Sequence, residues 1–322
     1  MTANPPPGPA DILILNRSDV RGLLMWPDLL TAARAGLIAI ADPGSGAPSA
    51  AAQVHVPGAV LHLKAGAVPE PPVLSVKANL RPDRGGASGA LLVFDHHTQR
   101  LEAVMASADL TAMRTAAVAA VAAGALLRVA EPVVAILGAG PVAEHVHAVL
   151  SHITAPREIR VWSRDPSRAE RLNHASHGGS HRTAPTPAAA VAGADLIITC
   201  TPARRPLLER GDLTGPAVIL AMGADSPGKR ELAAGILDAA DVLVDTPLDP
   251  TRPGECAHRD PAFGPPPTVL GRLLTGGEHR RAGGRLTVFD SVGSAVIDAA
   301  VAAMVLHRAR SAGIGSPAAW DS

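Results

Sequence analysis

The sequence is poor in aromatic side chains and in cysteine. Its 322 residues include three Phe, three Trp and no Tyr, so few rings are available on which nucleic-acid bases could stack. The two cysteines, Cys200 and Cys256, form neither a disulfide framework nor a metal-binding spacing. With so few rings, Ala, Val and Leu must fill the interior.

The chain also lacks an excess of charge of either sign. Lys and Arg together number 29, as do Asp and Glu, whereas nucleic acids and anionic membranes demand a basic excess or patch. The proline-rich first ten residues have neither the charged nor the apolar region of a signal peptide. The Ala-rich stretch 116–130 is interrupted by Gly124 and Arg128 and is short for a bilayer span. We therefore expect a cytoplasmic protein with no nucleic-acid or membrane partner.

Apolar residues are plentiful, at 47% of the chain against 18% charged, so a substantial core can form. The length suffices for two domains. The N-terminal third predicts a strand over 12–15, a helix over 27–40, a Pro/Gly/Ser/Ala linker over 43–52 and then several short strands, which indicate an antiparallel sheet. These strands are 54–56, 60–63, 73–78, 89–94 and 101–105. Asp109 or Thr111 can cap the Ala-rich helix that follows.

From Val133 onward, strands and helices alternate, which predicts a parallel sheet covered by helices on both faces. The predicted strands are 133–137, 158–162, 195–200, 217–222 and 241–244, and the helices are 141–150, 166–174 and 230–239. The chain then predicts a helix over 268–274, a strand over 286–289 and a long apolar helix over 295–308. The expected fold class is therefore α/β, with this parallel-sheet domain lying inside the chain.

A Gly-x-Gly-x-x-Ala turn, with Gly138, Gly140 and Ala143, follows the first of these parallel strands. The first Gly permits a tight turn, the second lets backbone amides approach a pyrophosphate at the helix N-terminus, and the small third residue allows close helix–strand packing. Because a second strand begins about 20 residues later, the context favours a dinucleotide-binding turn over a structural one.

The residues after that second strand bear on the choice of cofactor. An NAD site normally places an acid here to bind the ribose hydroxyls, but this chain has Ser163 and Arg164, with Arg168 close behind. Hydroxyls and a guanidinium suit a 2′-phosphate. Asp165 falls two residues late and precedes a proline, as a helix cap does. We therefore favour NADP(H) over NAD(H).

Three charged residues are candidates for the chemistry. Lys77 interrupts an apolar strand, and a buried lysine needs a carboxylate or a ligand, although alternation could instead turn it to solvent. Arg114 lies near a helix start, where a cation opposes the helix dipole, so it is a candidate carboxylate clamp. Asp225 follows a strand and could exchange a proton with a substrate nitrogen, or could cap the helix predicted near Arg230.

The histidines do not predict a metal site. His174, His177 and His181 have suitable spacings, but glycines interrupt them and no carboxylate is adjacent. His145 and His147 are expected at the surface of the predicted helix 141–150.

Taken in order, these segments resemble the ornithine cyclodeaminase/mu-crystallin family over about residues 12–310. The resemblance is carried by Val-Lys77, Gly-Ala-Leu-Leu-Val-Phe-Asp95, Arg114-Thr115-Ala116-Ala117, Leu-Gly-Ala-Gly140, Gly-Ala-Asp225-Ser-Pro-Gly-Lys229-Arg-Glu-Leu232 and Phe289-Asp-Ser-Val-Gly293. It implies a Rossmann-type parallel-sheet domain, residues 119–294, inserted in an α+β substrate-binding and dimerisation domain with an antiparallel sheet. That second domain comprises residues 1–118 and is completed by the C-terminal helix 295–322. A homodimer is implied.

The resemblance also implies roles. Lys77 and Arg114 would hold a substrate carboxylate, Asp225 would exchange a proton with the substrate nitrogen, and Ser291 to Gly293 would lie near the nicotinamide. The cofactor-binding residues would be Thr115, Gly138, Gly140, Pro141, Val142, Ser163, Arg164, Arg168, Thr201, Met222, Gly223 and Val292. One departure is that Gln53 stands in a stretch where many amino-acid-handling members have a further Arg; Gln53 is thus a candidate substrate contact with weaker hold on a carboxylate.

The first hypothesis is an NAD(P)H-dependent oxidoreductase acting on the C–N bond of an amino acid or cyclic imine acid, of the ketimine or pyrroline-carboxylate reductase or amino-acid dehydrogenase type. A second is an ornithine-cyclodeaminase-like lyase, in which the hydride leaves and returns while ammonia is lost. A third is a non-catalytic NADP(H)-binding protein, which the Gln53 replacement keeps open.

Overall fold

The computed structural model describes residues 11–320, apart from 43, 45–46, 83–85, 87, 175–179, 249–251, 261, 263 and 278–285. The proline-rich first ten residues lie outside this range. The described chain divides into two compact units. The split unit comprises residues up to Arg114 and from Ser294 onward, and the inserted unit runs from Thr115 to Gly293. The sequence placed the corresponding boundaries at 118/119 and 294/295.

The first segment of the split unit has two helices before a run of strands. In chain order its elements are β1 (Asp11–Leu15), α1 (Arg17–Leu23), α2 (Trp26–Ala41), β2 (Ser49–Val56), β3 (Ala59–Val68), β4 (Val73–Pro82), β5 (Ser88–Asp95) and β6 (Arg100–Ala106). Helix α3 (Ala108–Leu126) begins in the split unit and continues into the inserted unit. The predicted linker is wrong at its end, since β2 begins at Ser49 and pairs along its whole length with β3. Pairing with a neighbour imposes the strand on an Ala-rich run of low β-propensity.

The inserted unit alternates strands and helices as predicted. Its elements are β7 (Val133–Leu137), α4 (Pro141–Val149), β8 (Glu158–Trp162), α5 (Pro166–His174), β9 (Ser180–Thr183), α6 (Pro187–Val191), β10 (Leu196–Thr199), β11 (Val218–Ala221), α7 (Ala234–Asp238), β12 (Ala240–Val244), β13 (Thr268–Val269), α8 (Leu270–Leu274) and β14 (Leu286–Asp290). The chain then returns to the split unit through α9 (Ala295–Ala312) and β15 (Ser316–Ala319).

The two sheets differ in direction as well as in order. The split unit has the order β15-β1-β6-β5-β4-β3-β2, antiparallel throughout except for the parallel pair β1 and β6. The inserted unit has the order β13-β12-β14-β11-β10-β7-β8-β9 and is parallel in every pair. From β7 the chain moves outward to β8 and β9, then returns to β10 on the other side of β7. The carboxyl ends of β7 and β10 thus form the switch point at which open α/β sheets bind ligands.

Two apolar helices occupy interior positions. Helix α9 has eleven buried residues and packs against α2 and against strands β3 and β4. Helix α3 begins at Ala108, before the Ala-rich stretch 116–130, and at 19 residues it is long and apolar enough to cross a membrane by those two criteria alone. Most of its residues are buried inside the protein, as in the core helix of a folded domain.

Candidate functional site

Lys77 and Arg114 meet at a carboxylate that the sequence analysis missed. The Lys77 Nζ lies 2.6 Å from Asp298 Oδ2, and the Arg114 Nε lies 2.9 Å from Asp298 Oδ1. The exposed fractions of the three side chains are 5%, 6% and 1% respectively. We call these three residues the Asp298 cluster. All of them belong to the split unit.

The local structure explains why these residues face inward. Burial alternates along β4, and Lys77 falls on the buried positions together with Val73 and Ser75. The alternative that Lys77 points to solvent is therefore wrong. Helix α9 packs against β3 and β4, which brings Asp298 from the first turn of α9 to the lysine. The available signal for Asp298 was a lone acid in the apolar run 295–306 of α9, because a buried charge requires a partner.

The electrostatics of the Asp298 cluster leave one positive charge in excess. The pKa of Lys77 is lowered to about 7, chiefly by burial; the nearby charges of Arg114 and Lys64 contribute to this, and the attraction of Asp298 opposes it. Burial alone would raise the pKa of Asp298, but Lys77 and Arg114 outweigh it and hold this pKa at about 2. Below pH 7 two cations therefore share one carboxylate, and a ligand carboxylate would balance the cluster.

Gln53 lies in the same sheet as Lys77 but two strands away. Gln53 pairs with His62 across β2 and β3, and His62 pairs with Asn79 across β3 and β4. Cross-strand partners share a face, as do residues two apart, so Gln53 and Lys77 are on the same face of the sheet. Gln53 is half-buried. The structure thus keeps it as a candidate at the margin of the Asp298 cluster.

In the inserted unit, the glycine turn after β7 has the geometry of a phosphate-binding turn. Gly138 has φ +129°, donates its N–H to Trp162 O at 2.8 Å, and would place a Cβ 2.9 Å from Cys200 O. Gly140 is the N-cap of α4, where no side chain caps the helix, and its α-carbon faces open space. Backbone N–H groups at an uncapped helix start attract anions. The residues present therefore fit a dinucleotide pyrophosphate.

A cavity of about 980 Å³ adjoins this turn. Residues 139–141 line it, together with Arg168 and Arg171 of α5. Asp165 accepts hydrogen bonds from the N–H and hydroxyl of Ser167, as a cap of α5 does, and it pairs with Arg168 at 3.6 Å. Ser163 is half-buried and Arg164 is exposed. The predicted 2′-phosphate residues thus lie around the start of α5, with one carboxylate among them.

Asp225 lies in an irregular loop after β11 and does not cap a helix. Lys229 Nζ contacts Asp225 Oδ1, and Ser226 donates its hydroxyl to the same oxygen at 3.0 Å. The predicted helix over 230–239 is wrong at its start, because α7 begins only at Ala234. The capping role for Asp225 is therefore wrong as well. The aspartate is 37% exposed, which leaves it accessible to a ligand.

The remaining predicted cofactor residues also belong to the inserted unit, mostly in loops at the carboxyl ends of its strands. Thr201 follows β10, Met222 and Gly223 follow β11, and Val292 follows β14; Thr115 lies in α3. The last of these loops is held by Asp245, which accepts hydrogen bonds from Ser291 Oγ and Gly293 N, both at 2.7 Å. Arg252 bridges Asp245 and Asp290 behind this loop. Sequence reasoning missed this bridge.

The histidines are arranged differently from the prediction. His147 is half-buried, and its Nε2 lies 3.2 Å from Nδ1 of His181, so the surface position predicted for it was wrong. Burial lowers the pKa of His147 to about 4. His177 lies outside the described residues. Within the part of the chain that the structure describes, no three His, Cys, Asp or Glu side chains gather as a metal site would require.

The chain belongs to the ornithine cyclodeaminase/mu-crystallin family, whose sequence profile matches residues 84–313. The fold class and the family predicted from the sequence are thereby confirmed. Similar proteins include the iminosuccinate reductase of Paracoccus denitrificans, 29% identical over 70% of this chain and 71% of that protein. Its crystal structure with NAD+ superimposes with a TM-score of 0.86 and 25% identity, covering 95% of this chain and 99% of the other.

Two further relatives are of comparable similarity. The ketimine reductase mu-crystallin of Mus musculus is 32% identical over 67% of this chain and 68% of that protein. The ornithine cyclodeaminase of Agrobacterium fabrum is 32% identical over 65% of this chain and 60% of that protein. The family therefore includes both reductases and a cyclodeaminase at similar distance from this chain.

Proposed function

We propose that the protein is an NADP(H)-dependent oxidoreductase that acts on the carbon–nitrogen bond of an amino acid or a cyclic imine acid. The Asp298 cluster carries the proposal, because two buried cations that share one carboxylate form a site for a second carboxylate. The class agrees with the relatives named iminosuccinate reductase and ketimine reductase. It is the first of the hypotheses drawn from the sequence.

The residues divide the work between binding and proton transfer. Lys77 and Arg114 bind and orient the substrate carboxylate, while Asp298 fixes both cations in place. Asp225 exchanges a proton with the substrate nitrogen, and contacts from Lys229 and Ser226 hold its carboxyl group in place. The glycine turn would hold a nicotinamide dinucleotide, which would supply hydride chemistry when bound.

The preference for NADP(H) over NAD(H) is supported by the chemistry of the β8 strand end. Ser163 and Arg164 stand where an acid would bind the ribose hydroxyls, and Arg168 lines the cavity that adjoins the glycine turn. Arg168 is partly neutralised by Asp165, which leaves Arg164 as the main candidate for a 2′-phosphate.

The test is turnover by the purified protein. Cyclic imine acids and α-amino acids are offered with NADPH or NADP+, and absorbance at the nicotinamide band is followed. Net consumption or formation of NADPH supports the proposal. Loss of ammonia without a net change in NADPH would instead identify a cyclodeaminase, and NADPH binding without turnover of any substrate would identify a non-catalytic binding protein.

We further propose a homodimer that works in the cytoplasm. The dimer is supported by β2, an eight-residue edge strand on which Val54 and Val56 are 47% and 49% exposed. Exposed apolar edge strands are surfaces on which a second chain pairs. Light scattering on the eluting protein measures the mass. A single-chain mass at micromolar concentration would overturn the dimer, and Val54→Lys is expected to weaken it.

A further inference from the structure

One completely buried carboxyl group of the inserted unit, that of Glu231, plays no part in the reaction described above. Glu231 is 0% exposed and accepts four hydrogen bonds. Its Oε1 accepts from the N–H and the hydroxyl of Thr201, both at 2.7 Å. Its Oε2 accepts from the Thr199 hydroxyl at 2.7 Å and from the Gly223 N–H at 2.9 Å. No cation takes part in these four bonds. Burial raises the pKa of the Glu231 carboxyl group, and the hydrogen bonds from Thr199, Thr201 and Gly223 oppose that rise.

These donors come from two loops that the proposed function assigns to the cofactor. Thr199 and Thr201 end β10 and begin its loop, and Gly223 lies just after β11. Glu231 itself closes the loop that carries Asp225. A Cβ on Gly223 would lie 2.5 Å from the Glu231 carboxyl group and 2.3 Å from Thr201 O. Only glycine therefore allows the two loops to approach so closely.

The backbone of Glu231 is fixed in turn by a second buried acid. Glu231 N–H donates to Glu255 Oε1 at 2.7 Å, and Leu232 N–H donates to Glu255 Oε2 at 3.1 Å. Glu231 O accepts from Leu207 N at 2.7 Å. The side chain of Glu231 thus has little freedom to follow the loops if they move. Hydrogen bonds to the Glu231 carboxyl group therefore hold the two loops in place.

We propose that Glu231 is a positioning residue for the dinucleotide site, whose carboxylate fixes Thr201 and Gly223 without touching cofactor or substrate. The inference depends on the proposed function, because it assumes that these two loops bind a nicotinamide dinucleotide. A merely structural role for Glu231 would stabilise the fold and leave the affinity for the dinucleotide unchanged. The two roles therefore differ in a measurable quantity.

Glu231→Gln tests the role with little change in volume. Each carboxylate oxygen accepts one backbone N–H, so either orientation of the amide group presents its NH₂ to an N–H. The loop whose N–H group faces this NH₂, at either Thr201 or Gly223, must then shift. By isothermal titration calorimetry on the full chain we expect the Kd for NADPH to rise about tenfold. In turnover assays, KM for NADPH is expected to rise more than KM for the substrate.

Thr199→Val is the matched control. It removes a hydroxyl that donates to the same Oε2, but it leaves both backbone N–H bonds to Glu231 in place. We expect lower thermal stability and a Kd for NADPH within about twofold of the wild type. Equal rises in Kd for Thr199→Val and Glu231→Gln would overturn the positioning role, since any loss of packing would then suffice.

The remaining outcomes separate this inference from the proposed function. If the wild type binds neither NADPH nor NADH, the proposed function fails and this role with it. If the wild type binds and Glu231→Gln binds equally well, the positioning role alone is overturned. Should Glu231→Gln not fold, Glu231→Asp keeps the charge but withdraws it by one methylene group. An unchanged Kd in Glu231→Asp would also overturn the role, and a raised Kd supports it.

Discussion

Asp298 of the split unit and Glu231 of the inserted unit are both completely buried carboxyl groups beside a proposed ligand site, and they are held in opposite ways. Asp298 in the split unit is bound by two cations, whereas Glu231 in the inserted unit is bound by two backbone N–H groups and two hydroxyls. The first arrangement leaves a positive charge in excess, whereas in the second only neutral donors contact the carboxyl group. The first is therefore suited to bind a charged group, and the second to hold backbone in place.

The largest expected effect is on the ionic cluster. Asp298→Ala leaves two buried cations without their carboxylate, so we expect the free energy of unfolding at pH 7 to fall by about 3–5 kcal/mol. Glu231→Gln is the comparison in the inserted unit. It should lower the free energy of unfolding by about 1–3 kcal/mol, because only neutral donors lose a partner. Chemical denaturation measures both. Equal losses would remove the distinction between the two sites.

Lys77→Met separates binding from stability within the Asp298 cluster. We expect kcat/KM for the substrate to fall by about 10- to 150-fold, which corresponds to one charge-assisted hydrogen bond of about 1.5–3 kcal/mol. The free energy of unfolding should change much less than in Asp298→Ala, because Asp298 keeps Arg114. An unchanged KM for the substrate would show that Lys77 does not bind it.

The glycine turn offers a pair of variants on the side of the inserted unit. Gly138→Ala forces a side chain onto φ +129° and toward Cys200, so we expect a loss of about 1–3 kcal/mol in stability and weaker dinucleotide binding. Gly140→Ala adds a methyl group into open space. It should leave stability unchanged but raise the Kd for NADPH. Equal destabilisation by both variants would contradict this reading of the turn.

The pH dependence of substrate binding tests the role of the Lys77 charge. Since burial lowers its pKa to about 7, the folded protein loses this cation above pH 7. KM for the substrate is then expected to rise up to tenfold per pH unit. Lys77→Arg keeps its charge and should flatten the rise. For stability the sign is reversed: between pH 7 and 10.5 the unfolded chain binds the proton that the folded chain has released, so Lys77 makes stability increase with pH.

The smallest expected effect is on the choice of cofactor. Arg164 is exposed, so solvent and salt screen its attraction for a 2′-phosphate. Arg164→Ala should raise the Kd for NADPH by about two- to tenfold at low salt and leave the Kd for NADH unchanged. If wild type already binds NADH as tightly as NADPH, the preference proposed from the strand end is wrong.

Much of the inserted unit was predictable because its signals are local. Val133 to Leu137 followed by Gly138 places a buried strand and its turn within eight residues, and the structure has both there. The error at Arg230 has a specific cause. Residues 230–233 do not join the helix, because the Glu231 and Leu232 N–H groups donate to the distant Glu255 instead. Helix propensity, which is a local property, does not predict a hydrogen-bond partner so far away in the sequence.

The Asp298 cluster was predictable only in part for the same reason. Lys77 and Arg114 are conspicuous as cations in apolar surroundings, but their shared partner lies in the last long helix of the chain. The strand that begins at Ser49 was missed because the Ala-rich run gains its conformation from β3. In both cases the missing information is a long-range pairing, which a single sequence does not contain.

The position of Asp298 has a consequence for how the protein is made. During synthesis, Lys77 and Arg114 emerge from the ribosome well before α9, and the entire inserted unit emerges between them and α9. The residues of the inserted unit are contiguous, so this unit can fold while the split unit still lacks Asp298 and helix α9. At roughly 5–20 residues per second, that interval lasts on the order of ten seconds or more. The split unit, whose first segment is synthesised first, is thus completed last.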